Sequence, residues 1–397
     1  MTYTDVPKNA LWVTCDAPDR RLAGSNIRQA HLLEALGREL PVDVLSCGEL
    51  DPVTRAAVRN VTQVAGTLRQ RRTGTVSRRF ESLWVAAGAG PEEVWGAADQ
   101  RRHLARALEA SEGYDLVCIE HAALAPLLPK GARRGRWAIT LHNVASSRGR
   151  QQQAVTSGRR QRWLLDREVA QARRLEARVL AGYDVTISVS EHDAALLPGP
   201  SIVIPNGVDT ARFPDTPLPT APRVVFLGAL MTLPNYDGAT WLADQVWPRV
   251  LQSVPEATLS LVGREPTAAV RALADRPGIS VVADPPDVVE HLLAARVATV
   301  PLRIGSGTRL KALEGMAARR PVVGTTIGLE GLHVRPGEDV AVADDPRAFA
   351  DELVRLLTDD AAAARLAAAG RRVVEREYDW STVGKAYADA VLGRSPG

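Results

Sequence analysis

Short runs of β-branched and aliphatic residues alternate along the chain with longer segments of helical periodicity, and this alternation narrows the fold more than any other feature. The runs are predominantly apolar, so neither face of such a strand is left wholly wet, as in a parallel sheet covered on both sides by helices. In the first half strands are expected at 11–14, 42–46, 116–120, 137–141 and 185–189, with helices near 25–39, 92–112 and 147–181. Residues 50–90 are interrupted by Gly, Thr and Arg and fit a strand, a loop or short helices. The second half repeats the theme, with strands at 224–227, 258–262, 279–282, 298–301 and 322–324. Helices are expected there at 235–252, 267–275, 286–295, 308–319 and 346–371, with a last amphipathic helix over 378–392.

Between the halves, Pro198, Pro200, Pro214, Pro217, Pro219 and Pro222 crowd two short stretches. Proline fixes φ and removes a donor, so these residues cannot lie in helix interiors or strand centres. With 397 residues the chain is also too long for one core. An amino-terminal domain over 1–200, a carboxy-terminal domain over 201–377 and a helix over 378–397 packing back on the first domain are expected. Two doubly wound sheets would present the carboxyl ends of their strands, where such sheets bind ligands, to a shared cleft.

The 45% hydrophobic and 24% charged content is that of a globular protein. No apolar run reaches the roughly 18 residues that span a bilayer, and the first residues lack a basic flank, apolar stretch and cleavage site. A cytoplasmic protein is expected. Cys15, Cys47 and Cys118 lie in or beside strand-like segments without a CxxC pair, as buried thiols do. The net charge of +3 does not point to nucleic acid. Arginines nevertheless cluster at 69–79 and 133–162, either as a solvated basic face or as a contact for an anionic acceptor or membrane surface.

The segment richest in chemistry is Pro301-Leu-Arg-Ile-Gly-Ser-Gly-Thr-Arg-Leu-Lys-Ala-Leu-Glu-Gly-Met-Ala. A buried strand runs into a glycine loop and then a helix. Gly305, Ser306, Gly307 and Thr308 can bring backbone N–H groups close to a phosphate, the helix N-terminus adds positive potential, and Arg303, Arg309 and Lys311 supply cations. Glu314, three residues after Lys311, can share its helix face and accept hydrogen bonds from ribose hydroxyls. A surface Lys–Glu pair at helical spacing is the competing reading. GxGxxG would need glycine at Leu310, and GxxxxGK[ST] is absent, so neither a dinucleotide fingerprint nor a P-loop is present.

Four stretches in this order resemble the retaining GT-B glycosyltransferases of family 4: Pro205-Asn-Gly-Val-Asp209, Gly228-Ala-Leu-Met-Thr-Leu-Pro-Asn235, Arg303 to Ala317, and Pro321-Val-Val-Gly-Thr-Thr-Ile-Gly-Leu-Glu-Gly-Leu332. The first half is similar more loosely, through Gly24-Ser25 before a helix containing Arg28 and through Leu141-His-Asn143. The resemblance implies an α/β GT-B fold, two Rossmann-like domains facing a cleft, and transfer of a sugar from a nucleotide-diphosphate sugar to a small-molecule or glycan acceptor. Glu314 matches the second glutamate of the family's E-x7-E motif, which binds the donor ribose, whereas the first falls on Ser306. The family's usual Arg and Lys after the strand ending at Gly228 are replaced by Ala229 and Leu233, which leaves Arg303, Arg309 and Lys311 as the diphosphate clamp. Gly24, Ser25, Asn206 and Gly228 join the donor contacts. His142 matches an active-site histidine that touches the donor sugar or assists proton transfer. Glu120, His121 and Asn143 are acceptor-side candidates.

No D-x-D occurs, so no metal or other cofactor is expected, and fixed cations with a helix dipole would neutralise the leaving group. Two rivals remain: a binding protein that lost turnover, suggested by Ser306, and a sugar-nucleotide epimerase of the same architecture.

Overall fold

The computed structural model describes residues 6–14, 17–20, 25–46, 48–63, 113–120, 135–142, 158–197, 199–304 and 309–394. The chain forms two compact units, Met1–Pro205 with Val383–Gly397, and Asn206–Thr382.

In the first unit the described strands are β1 Ala10–Thr14, β2 Val42–Ser46, β3 Asn60–Gln63, β4 Leu116–Glu120, β5 Arg136–Leu141, β6 Val185–Ser188 and β7 Ile202–Val203. They pair in parallel in the order β3-β2-β1-β4-β5-β6-β7. Every residue of β1 and β4 is buried, as central strands covered on both faces must be. The order reverses direction between β1 and β4, which makes the carboxyl ends of those strands the ligand-binding crevice of such a sheet. Glu120 ends β4 and His142 follows β5.

The second unit holds β8 Arg223–Ala229, β9 Thr258–Arg264, β10 Ile279–Ala283, β11 Val297–Val300, β12 Val322–Gly324 and β13 Ala341–Val342, in the parallel order β10-β9-β8-β11-β12-β13. Its reversal lies between β8 and β11. Gly228 lies near the end of β8 and Arg303 just beyond β11, so both flank the crevice. The core runs through this sheet and its helices, with Phe226, Trp247, Phe349 and Tyr378 all buried.

The α/β class and parallel sheets agree with the sequence reading, and the departures have local causes. The helix expected over 235–252 is Leu233–Trp241 and Trp247–Ser253 joined by a π turn over Leu242–Val246. Pro248 cannot donate to the carbonyl four residues back, and the widened turn absorbs the missing bond. The helix expected over 346–371 is two, Pro346–Thr358 and Asp360–Val373, because the Asp359 carboxylate accepts from Ala362 N at 2.9 Å and starts a new helix. Within the open segment, Asp51 caps a helix at Pro52–Ala56 and β3 follows. The edge strands β7 and β13 are two residues long and leave no readable alternation. The helix expected over 92–112 falls outside the described residues, and that over 147–181 is described as Arg159–Leu180. No helix among the described residues is long and apolar enough to cross a membrane.

Candidate functional site

In the second unit a cation is built into the crevice. Thr232 precedes the helix Leu233–Trp241, and Asn235 in its first turn donates from Nδ2 to Ala229 O at 3.0 Å and to Thr232 Oγ1 at 2.9 Å. The amide so fixed presents Oδ1 to Lys311 Nζ, which donates to it. The ammonium also lies 4.7 Å from the centroid of Phe226 on β8, within cation–π range. Gly228 makes this possible, because a Cβ there would stand 2.8 Å from the Asn235 side chain.

Lys311 and Glu314 both belong to the helix Leu310–Ala317 and are half-buried. They do not pair: among the described residues neither forms an ion pair, and the Glu314 carboxylate has no hydrogen-bonded partner. Burial pushes the Lys311 ammonium down to about 7, with the Arg309 charge adding to the effect and Glu314 opposing it. Burial likewise raises the Glu314 carboxyl to about 7, against the pull of Arg212 and Lys311. Two desolvated groups of opposite sign, one helical turn apart and with no ion-pair partner, can take an anion and a hydroxyl donor respectively.

The other two expected cations are spoken for. Arg309 is buried, donates from Nε and Nη2 to Ile327 O at 3.1 and 3.0 Å, and lies 3.7 Å from Glu330. Its guanidinium ties the Ile327–Leu329 turn to the helix. Arg303 is exposed and bidentate to Asp237, at 3.1 and 2.6 Å, with its guanidinium 5.9 Å from the Trp241 ring centroid. It reaches a phosphate only by leaving that carboxylate. Gly305, Ser306, Gly307 and Thr308 lie outside the described residues. Asn206 is half-buried beside Gly207, where a Cβ would meet the Trp380 ring at 2.6 Å.

In the first unit His142 Nε2 lies 2.8 Å from Glu120 Oε2, with side-chain exposures of 7% and 0%. Glu120 therefore backs the histidine instead of facing solvent. Ser25 begins the helix Ser25–Glu39 and is half-buried. Gly24, His121 and Asn143 fall outside the described residues, as do Cys15 and Cys47. Cys118 is buried, and its thiol is pushed up to about 12 by desolvation, which keeps it unreactive. No group of three or more His, Cys, Asp or Glu among the described residues could hold a metal ion.

Asn235 closes the Gly228–Asn235 stretch, yet nothing local marks it as the lysine's partner. Gly228→Ala should push the Asn235 amide aside and cost about 1–3 kcal/mol of stability. Thermal unfolding checks this, and a variant of unchanged stability would mean that the Asn235 side chain does not pack against Gly228.

Residues 221–359 match the family model of the glycosyl transferases of group 1. A phosphatidyl-myo-inositol mannosyltransferase of Mycobacterium leprae is 31% identical over 198 residues, covering 46% of this chain and 51% of that protein. The chain spans about half the length of the curated relatives it matches. A sucrose-phosphate synthase of Thermosynechococcus elongatus superposes with a TM-score of 0.67 at 19% identity, over 95% of this chain and 96% of that one. An Anabaena protein solved with UDP and glucose superposes at 0.66 and 12% identity, over 97% of this chain and 100% of that one.

Proposed function

We propose that the chain is a glycosyl transferase of group 1, the family whose model residues 221–359 match, and that it transfers a sugar from a nucleotide-diphosphate donor with retention of configuration, as family 4 enzymes do. The observation that carries the reading is Lys311, a desolvated ammonium held by Asn235 and Phe226 at the switch point of the second sheet, with Glu314 one turn behind it. A diphosphate would supply the missing negative charge. Glu314 would accept from the ribose hydroxyls, and the N-terminus of the helix Leu310–Ala317 would face the phosphates.

As the glycosidic bond breaks, charge grows on the leaving diphosphate. A fixed ammonium and helix dipole stabilise it without reorganising. The acceptor would attack on the face the diphosphate leaves, and His142 would contact the transferred sugar or carry a proton. The acceptor is a small molecule or a cell-envelope glycan or lipid. For the last, exposed Arg159, Arg160, Arg162 and Trp163 at the start of the helix Arg159–Leu180 form a basic surface suited to an anionic bilayer.

A thermal-shift screen over UDP-, GDP-, ADP- and dTDP-sugars is expected to single out one donor base. Incubation of that donor with and without acceptors then separates transfer from epimerisation and from binding without turnover. Turnover should survive EDTA, because Lys311 and the helix N-terminus meet the phosphate charge. Loss of activity in EDTA that Mg²⁺ or Mn²⁺ restores would overturn the metal-independent reading.

A further inference from the structure

Tyr387, on the terminal helix Trp380–Leu392, is fully buried in the first unit, its ring 5.8 Å from that of Trp12 and tilted by 56°. Its hydroxyl donates to Glu120 Oε1 at 3.4 Å, across a sequence separation of 267 residues. Glu120 Oε1 also accepts from Thr140 Oγ1 at 2.8 Å, which leaves Oε2 to His142. The pleat explains the meeting. Glu120 on β4 is in register with Thr140 on β5, and His142, two residues on, emerges on the same side as Thr140. Arg28 is buried and donates to Ile204 O at 2.8 Å. Burial pushes it down to about 10, and the Glu120 charge opposes that.

A wholly buried carboxylate is costly unless every partner is in place, and replacing such groups by apolar ones is often neutral or stabilising. Phenylalanine at 387 would bury the same ring without a hydroxyl to satisfy. We propose that Glu120 and Tyr387 are positioning residues for His142: the carboxylate accepts from Nε2–H and so fixes the imidazole tautomer and ring plane, while the Tyr387 hydroxyl holds the carboxylate in place. An imidazolium formed at His142 is stabilised by Glu120. The catalytic consequence rests on the proposed role of His142; the tautomer does not.

Two measurements on the full chain test these separately. Imidazole ¹⁵N spectra of histidine-labelled protein, with His142 among seven histidines assigned by His142→Asn, should show a single Nε2–H tautomer that is lost in Glu120→Ala. Hydrolysis of the nucleotide sugar chosen by the thermal-shift screen should lose about 10–100-fold in kcat in Glu120→Gln, and about 3–10-fold in Tyr387→Phe. Donor KM should stay within about twofold in both. A mixed or Nδ1–H tautomer in the wild type overturns the proposal even if the Glu120 variants fail to fold. So does wild-type kcat in Tyr387→Phe together with an unchanged His142 spectrum. Unaltered kcat in His142→Asn would instead remove the assumed role of the histidine and leave the tautomer result standing.

Discussion

Lys311→Ala is expected to lower kcat about 10²-fold, comparable to deleting one preorganised oxyanion donor, while weakening donor binding much less. Charge on the diphosphate is greater in the transition state than in the ground state, so the lysine's interaction grows as the bond breaks. Were Lys311 merely one half of a surface pair with Glu314, alanine would cost a few tenths of a kcal/mol and nothing catalytic. The geometry argues against that, since Nζ bonds to the Asn235 amide and not to the carboxylate. The variant should also be no less stable. The folded-state pKa of Lys311, about 7, lies below its ordinary 10.5, so the stability contributed by the neutral amine falls away as pH drops from 10.5 to about 7 and is absent below that. At pH 6 the wild type bears the full cost of a desolvated charge, and Lys311→Ala should unfold at an equal or higher temperature. Steady-state kinetics beside thermal melts decide the matter, and wild-type kcat would place the phosphate cradle elsewhere.

Glu314→Ala is expected to weaken nucleotide binding by about 1.5–3 kcal/mol, the worth of a hydrogen bond to a charged group, or roughly 10–150-fold in Kd. The pH dependence makes the test sharper. Ribose hydroxyls favour the ionised carboxylate, so binding through Glu314 strengthens as pH rises toward 7. A diphosphate favours the protonated ammonium, so binding through Lys311 weakens as pH rises beyond 7. Wild-type affinity should therefore peak near neutrality. Glu314→Gln should retain only the alkaline fall, and Lys311→Met only the acid rise. Calorimetry from pH 5 to pH 9 checks both limbs, and a flat profile in the wild type would show that neither group touches the nucleotide.

These expectations rest on features of different origin. Residue order alone carried the parallel α/β architecture, because the apolar runs of strands such as Leu116–Glu120 and Val297–Val300 permit only burial on both faces. Helical spacing placed Lys311 and Glu314 one turn apart, and a glycine loop before a helix marked where phosphates are proposed to bind. Edge strands of two residues, the π turn before Pro248 and the break at Asp359 were not legible, since each depends on one backbone hydrogen bond whose making or loss no periodicity records.

Partners were decided only in three dimensions. Arg303, Arg309 and Lys311 look alike as a cluster of cations, yet Asp237 claims the first, the Ile327 carbonyl and Glu330 the second, and a neutral amide the third. That difference leaves one ammonium uncompensated, and charge compensation depends on neighbours brought by other strands and helices. Glu120 read as an acceptor contact until its burial set it behind His142, and Tyr387 carried no local signal at all. A hydrogen bond across 267 residues is written in the packing of the terminal helix against β4, because what a buried polar group requires is satisfied by whichever atoms the fold brings within reach of it.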